Sequence, residues 1–217
     1  MIKKKNKGDL IVISGPSGCG KDSICNKILK KRKNIQMSIS MTTREKRDYE
    51  KDGRDYYFVS VDEFKEAIKN DELLEYAIVH EKDYYGTPKK NLFDILNQGI
   101  DVILVIDIQG ALQIKEKYAE AIFIFILPPS MRELKKRLIK RGSETKESLF
   151  RRFKSIYKEI NEISQYNYVV VNDDLDDAVN KTLAILDSEK CRVDRIEELD
   201  INSIEEVMHE DLIDFEY

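Results

Sequence analysis

Residues 10–23 read LIVISGPSGCGKDS, an apolar run followed by a glycine-rich turn and the start of a helical pattern. The turn has the form G-x-x-x-x-G-K, which is typical of a phosphate-binding loop when a strand precedes it and a helix follows. Glycines let successive backbone N–H groups point at one anion, the helix N-terminus adds partial positive charge, and Lys21 adds a full charge. The sequence therefore predicts a site for the phosphates of a nucleoside triphosphate. Its predicted residues are Gly15, Pro16, Ser17, Gly18, Cys19, Gly20, Lys21, Asp22 and Ser23.

Short apolar runs alternate with helical patterns along the rest of the chain, which favours a parallel sheet covered by helices. The predicted buried strands are residues 10–14, 102–106, 122–127 and 168–171. The predicted helices are residues 22–33, 109–118, 131–141, 146–165 and 175–188. These patterns predict an α/β fold with a parallel core sheet in three layers.

Between residues 37 and 100 the pattern changes to a polar, tyrosine-rich block. Residues 56–60 and 73–79 favour strands, and Ser60 with Glu63 has the spacing of a capping box for a helix between them. Thr87 followed by Pro88 is typical of an N-cap and first helical position, here for a helix that stops at Gly99. The block is therefore predicted to be a mixed α/β subdomain that binds substrate.

The composition argues against several classes of protein. The net charge of the 217 residues is only −4 although 36% of them are charged, so we expect no general attraction to nucleic acid or anionic membrane. No apolar stretch approaches the roughly 18 residues of a membrane span, and no secretory leader pattern is present. The three cysteines and two histidines show neither disulfide nor zinc spacing. We therefore expect a cytoplasmic protein without nucleic-acid or membrane partners.

Residues 191–217 differ in character from the rest of the chain. They contain ten Asp or Glu residues against two Arg residues. One interpretation is a solvated acidic extension with some helix. The other places Ile196, Leu199, Ile201 and Ile204 on one helix face, for packing or for a protein partner that the sequence does not identify.

A second segment makes the prediction more specific. Residues 38–47 read SISMTTREKR and residues 56–58 read YYF, which resembles the S-x-S-x-T-T-R-x-x-R…Y-x-F signature of guanylate kinases. Further matches follow in the family's order: LEY around Glu75, YYGT at 84–87, DIQG at 107–110, LPPS at 127–130 and NDD at 172–174. The resemblance implies a P-loop kinase domain over residues 1–190, with a GMP-binding insertion at about 37–95 and a helical lid at about 128–160. Residues 191–217 lie outside it.

The resemblance implies that the protein moves the γ-phosphoryl group of ATP to GMP with Mg²⁺. Arg44 and Arg47, three residues apart, are expected to hold the GMP phosphate as guanidinium forks. Glu75 is expected to accept hydrogen bonds from N1–H and the 2-amino group of guanine, a pair of donors that adenine does not offer. The expected GMP-binding residues are Ser40, Arg44, Arg47, Tyr56, Glu75, Tyr85, Thr87 and Asp107.

Phosphoryl transfer leaves little covalent work to the protein, so charge neutralisation and alignment carry the catalysis. The residues expected to supply the charge are Lys21 and the lid arginines that the family pattern matches, Arg137, Arg141 and Arg152. The same comparison places Asn172 against the adenine of ATP.

Three positions depart from the family pattern. Tyr49 replaces a glycine in the arginine loop, Asp22 stands where Ser or Thr usually follows the P-loop lysine, and Val105 replaces an acid two residues before Asp107. Asp22 and Asp107 remain the expected magnesium ligands. The alternative for Asp22 is a solvent-facing acid that interacts with the helix N-terminus.

Two other functions fit the resemblance. A noncatalytic guanylate-kinase-like binding module shares the fold, but such modules typically lack a working phosphate loop, whereas this chain keeps Lys21 and the arginines. A nucleoside monophosphate kinase for another base would require Glu75 to face elsewhere.

Overall fold

The computed structural model of the protein describes residues 2–4, 7–79, 82–140, 153 and 156–199. The strands are β1 Ile2–Lys4, β2 Leu10–Ser14, β3 Ile35–Met37, β4 Met41–Thr42, β5 Tyr57–Phe58, β6 Leu73–Val79, β7 Asp83–Pro88, β8 Asp101–Val105, β9 Ile122–Leu127, β10 Tyr168–Val171 and β11 Ile196–Leu199. The helices are α1 Lys21–Lys31, α2 Val61–Lys69, α3 Lys89–Asn97, α4 Ile108–Lys117, α5 Met131–Lys140 and α6 Leu175–Glu189. Residues 156–161 are also helical.

The core sheet is parallel, in the order β10-β9-β2-β8-β3. Its central strand β2 is buried on both faces: Ile11 and Ile13 pack with Ile24 of α1, and Val12 packs with Ile114 of α4. Full burial of one such aliphatic side chain contributes about 1.5–3 kcal/mol, which explains why these strands are continuous apolar runs. The predicted three-layer α/β fold is confirmed.

The insertion forms a separate four-stranded sheet in the order β5-β4-β7-β6. Strands β4 and β5 are parallel, and the other two pairs are antiparallel. Phe64 of α2 packs with Leu73 at the start of β6. The predicted capping box is confirmed, because Ser60 N donates to Glu63 Oε2 at 2.7 Å and Glu63 N donates to Ser60 Oγ at 3.2 Å.

Several local predictions were incomplete or wrong. Strands β3, β4 and β7 were missed, and β3 and β4, with three and two residues, leave too short a pattern to detect. Thr87 is not the N-cap of α3: it lies in β7, Pro88 takes the cap position, and the Thr87 hydroxyl donates to Glu75 instead. Of the predicted helix 146–165, residues 146–152, 154 and 155 lie outside the described residues, and Ile163–Gln165 is a short 3₁₀ helix.

The two ends of the described chain meet. Strand β1 pairs antiparallel with β11, with Ile2 opposite Leu199, so the helix considered for Ile196 and Leu199 is wrong. Arg195, just before β11, donates to Asp9 Oδ1 at 2.6 Å, which ties this pair of strands to the core. Residues 200–217 lie outside the described residues. Across the described residues, every helix is too short or too polar to cross a membrane.

Candidate active site

The predicted phosphate-binding loop lies between β2 and α1, and two of its glycines are required by geometry. Gly15 has φ +143° and Gly20 has φ +96°, backbone conformations that favour glycine. A Cβ on Gly15 would lie 2.2 Å from the carbonyl oxygen of Ile126, and one on Gly20 would lie 2.2 Å from Asn172 Nδ2. A side chain at either position would therefore displace the loop from β9 or from the residue after β10.

The Lys21 amino group lies over this loop. Its Nζ donates to the carbonyl oxygens of Gly15 at 2.6 Å and Pro16 at 3.3 Å. Lys21 is also the first residue of α1, where the helix dipole favours an anion. The loop thus joins a full positive charge to a helix N-terminus, as a phosphate site requires.

Asn172 connects the loop to the lid helix. The residue is 5% exposed, and its Nδ2 donates to the carbonyl oxygen of Cys19 at 2.8 Å. The backbone carbonyl oxygen of Asn172 accepts hydrogen bonds from Arg137 Nη1 and Nη2 at 3.4 and 3.3 Å. Sequence reasoning missed this bracing role, since Cys19 is 153 residues away in the chain. The contact of Asn172 with adenine stays a prediction.

Helix α5 packs directly on the phosphate-binding loop. Leu134 and Leu138 are buried in a cluster with Ile156, and a Cβ on Gly18 would lie 3.0 Å from Leu138 Cδ2. This packing places Arg137, one of the predicted lid arginines, beside the loop. The other two, Arg141 and Arg152, lie outside the described residues.

A cavity of about 400 Å³ separates the phosphate-binding loop from the insertion sheet. It opens beyond the carboxyl ends of β2 and β8, where parallel α/β sheets bind their ligands. Predicted site residues that line it are Gly15, Ser17, Lys21, Ser40, Tyr56, Glu75, Tyr85 and Asp107. Glu159, which the sequence did not suggest, lines it as well. Residues of the predicted ATP site and of the predicted GMP site therefore line the same cavity.

Glu75 is a buried carboxyl group in the wall of this cavity. It is 4% exposed, and Thr87 Oγ1 donates to Glu75 Oε1 at 2.7 Å. Burial raises the pKa of Glu75 to about 7, the Thr87 hydrogen bond opposes this, and the charge of Asp107 adds to it. A buried carboxyl group poised near neutral pH is typical of a functional position.

Arg44, Tyr56 and Tyr85 lie together, as predicted. The Arg44 Nε donates to the Tyr85 hydroxyl at 3.1 Å, and its guanidinium lies 5.5 Å from the Tyr56 ring centroid, within cation–π range. Arg44 Nη1 and Nη2 also donate to Glu50 Oε2 and Oε1, at 3.0 and 2.8 Å. The Nη1–Nη2 edge of the Arg44 guanidinium is thus bound by a protein carboxylate.

Glu50 is a partner that sequence reasoning missed. It is 8% exposed, and besides Arg44 it accepts a hydrogen bond from the backbone N of Arg47 at 2.8 Å. The guanidinium of Arg47 donates to the hydroxyl of Tyr49 at 2.8 Å, so the residue that replaces the family's glycine contacts one of the predicted phosphate ligands. One carboxylate therefore organises both arginines. Their contact with GMP phosphate stays a prediction.

The two predicted metal ligands differ in their surroundings. Asp22 is exposed in the first turn of α1, while Asp107 Oδ1 caps α4 by accepting from Gly110 N at 2.9 Å. The described residues contain no group of three or more His, Cys, Asp or Glu side chains arranged to hold a metal. Mg²⁺ commonly takes one or two carboxylates and completes its shell with water and substrate phosphates. The donors present fit a metal ion held largely by a nucleotide.

Known proteins resemble this chain over almost its whole length. A sequence model of the guanylate kinase family matches residues 7–189. The chain is 58% identical to guanylate kinases of Clostridium perfringens (strain SM101 / Type A), over 98% of both chains, and of Clostridium tetani (strain Massachusetts / E88), over 96% and 99%. A crystal structure of guanylate kinase from Anaplasma phagocytophilum matches with a TM-score of 0.75 at 38% identity, covering 92% of this chain and 94% of that chain. With its phosphate-binding loop and insertion inside these matches, the chain belongs to the guanylate kinase family.

Proposed function

We propose that the chain transfers the γ-phosphoryl group of ATP to GMP, giving ADP and GDP, within the purine nucleotide metabolism of the cytoplasm. The observation that carries this proposal is the cavity that has Lys21 on one side and Glu75 on the other. If the triphosphate of ATP binds at the loop and the guanine of GMP binds at the Glu75 carboxyl group, the reacting phosphates of the two nucleotides lie between Lys21 and Glu75. The names of the relatives support the same activity.

On the donor side, Lys21 and the loop amides bind the phosphates of ATP. The Lys21 amino group exchanges its bonds to the Gly15 and Pro16 carbonyl oxygens for the β- and γ-phosphates. Arg137 in α5, with Arg141 and Arg152 further along the lid, offsets the charge on the transferring group. Because Asn172 contacts both the loop and Arg137, it fixes the position of the Arg137 guanidinium relative to the loop.

On the acceptor side, Glu75 reads the base and the arginine loop holds the phosphate. The ionised carboxylate accepts from guanine N1–H and the 2-amino group, with Ser40 and Asp107 beside it in the cavity wall. The phosphate is bound by Arg47, by the one Nη2 hydrogen of Arg44 that the described contacts leave unused, and by the Tyr56 and Tyr85 hydroxyls. The nucleophile is already an anionic phosphate oxygen, so the reaction requires alignment rather than a general base.

Mg²⁺, when bound with ATP, would neutralise and orient the phosphate oxygens. Asp22 in the first turn of α1 and Asp107 at the N-cap of α4 are the carboxylates we propose for its protein ligands. Val105 lines the same cavity without an oxygen donor.

A coupled assay with ATP and each of GMP, dGMP, AMP, CMP and UMP tests the proposal directly. We expect rapid ADP formation with GMP and far slower formation with the pyrimidine nucleotides and AMP. Binding of GMP without turnover would favour the noncatalytic module. Preference for another base would favour a different nucleoside monophosphate kinase.

A further prediction concerns the two unusual positions near the metal. If Asp22 supplies the carboxylate that Val105 does not, Asp22→Ser should raise the Mg²⁺ concentration needed for half-maximal activity. Adding Val105→Asp should then lower it again, with a coupling energy above about 0.5 kcal/mol in a double-mutant cycle. Simple additivity, or better activity of Asp22→Ser at low Mg²⁺, would show that Asp22 acts only at the helix N-terminus.

A further inference from the structure

The strand that carries Glu75 is attached to helix α4 of the core. The side chain of Gln113 in α4 bonds the backbone of Tyr76 in both directions: Tyr76 N donates to Gln113 Oε1 at 3.2 Å, and Gln113 Nε2 donates to Tyr76 O at 2.7 Å. Glu75 is the neighbouring residue, and its side chain points the opposite way from that of Tyr76 along the strand. The carboxyl group is therefore set against the first turn of α4.

Gly110 lies in that first turn, beside the Glu75 carboxyl group. A Cβ on Gly110 would lie 2.4 Å from Glu75 Oε2, closer than real contacts allow, and 3.0 Å from Glu75 Cδ. Gly110 is not among the residues of positive φ, so its backbone does not require a glycine. Glycine within a helix costs about 1 kcal/mol relative to alanine, so a requirement other than backbone conformation favours it here.

We propose that Gly110 is a specificity-determining positioning residue, whose missing side chain leaves the space that the base-reading carboxylate of Glu75 occupies. Thr87 holds one carboxylate oxygen by a hydrogen bond, and the other carboxylate oxygen occupies the space that a Cβ on Gly110 would fill. The two neighbours together fix the plane of the carboxylate. This inference rests on the proposed function, because guanine offers two adjacent donors that only a correctly oriented carboxylate can accept.

A methyl group at Gly110 would displace the side chain of Glu75 in the site and leave the fold unchanged. The nearest atom is the end of a flexible side chain, which can rotate away, whereas the helix backbone is fixed. Rotation of Glu75 breaks its 2.7 Å bond with Thr87 and turns the carboxylate from the guanine edge. The 2-amino group of guanine then loses its acceptor, while N1–H has a less favourable one.

The test is Gly110→Ala, measured by dissociation constants for GMP and IMP, by KM and kcat, and by thermal unfolding. IMP lacks the 2-amino group, so the ratio of the two constants reports carboxylate orientation. We expect GMP to bind about 10-fold or more weakly, and the preference for GMP over IMP to fall by a similar factor. KM for ATP should stay within about 2-fold, and thermal stability should be unchanged or higher.

A double-mutant cycle separates this role from a general effect on the helix. In a Glu75→Gln background, Gly110→Ala should cost less than about 2-fold further in GMP affinity, because the carboxylate is already absent. Glu116→Ala, on the exposed side of α4, serves as the control and should leave both constants unchanged. An unaltered preference for GMP over IMP, or equal losses with and without Glu75, would overturn the inference. A wild-type protein that binds GMP but does not phosphorylate it would refute the proposed function alone, since the binding ratio would still test Gly110.

Discussion

Replacing Lys21 by alanine is expected to lower kcat for GMP phosphorylation by about 1000-fold while leaving the protein folded. The charge acts on the transferring phosphates, and no other side chain of the loop carries one of the same sign. The fold should tolerate the change, because the Lys21 amino group bonds only to carbonyl oxygens of its own loop among the contacts described. Steady-state kinetics and a thermal unfolding curve measure the two effects separately.

Lys27→Ala is the matched control for this variant. Lys27 lies on the same helix, but its amino group pairs with Asp176 at 2.7 Å on the surface, and exposed pairs contribute little. We expect near-normal kcat from it. A folded Lys21→Ala protein with near-normal kcat would show that the loop does not act on the phosphates.

Glu75→Gln is expected to lower kcat/KM for GMP by about 100-fold or more, with KM for ATP nearly unchanged. Glutamine keeps the shape of the side chain but replaces one acceptor oxygen with an NH₂ group, which would face a donor of guanine. A site built to hydrogen-bond its substrate loses strongly when donor meets donor. Kinetics with each nucleotide varied in turn measure the split, and equal losses for GMP and ATP would contradict the assignment. Glu72→Gln, at an exposed position immediately before β6, is the control.

The same variant should lose a pH dependence. Because burial raises the pKa of Glu75 to about 7, part of the wild-type protein carries a neutral carboxyl group at neutral pH. Guanine requires the ionised form, so GMP affinity should be complete above that pKa and decline as the pH falls through it. The phosphate of GMP titrates near pH 6, by analogy with other phosphate monoesters, and that component should persist in the glutamine variant. Identical pH profiles for the two proteins would show that Glu75 does not bind the base as an anion.

Features that depend on neighbouring residues were predictable from the sequence. Leu73–Val79 was predicted with its observed bounds, and the capping box of Ser60 and Glu63 forms as its spacing indicates. The phosphate-binding loop lies between β2 and α1, as the sequence predicts. Its glycine-rich turn and the flanking apolar and helical patterns all occur within one short stretch of sequence.

Features that depend on contacts between residues far apart in the chain were not predictable from the sequence. Thr87 had the local pattern of a helix cap, but a hydrogen bond to Glu75, twelve residues away, uses its hydroxyl instead. The role of Asn172 in bracing the loop and the space beside Gly110 likewise depend on residues far along the chain. The pairing of β1 with β11 joins the two ends, which no local pattern could indicate.

The bonds between Gln113 and Tyr76 also attach the insertion to the core at a point beside Glu75. A rotation of the insertion that kept both bonds would have its axis close to the contact between β6 and α4, and Glu75 would lie beside that axis. Arg44 follows β4, which lies two strands away from β6 in the insertion sheet, or about 10 Å at ordinary strand spacing. If GMP binds as proposed, its base would lie close to this axis and its phosphate farther from it, so such a rotation would move the phosphate more than the base.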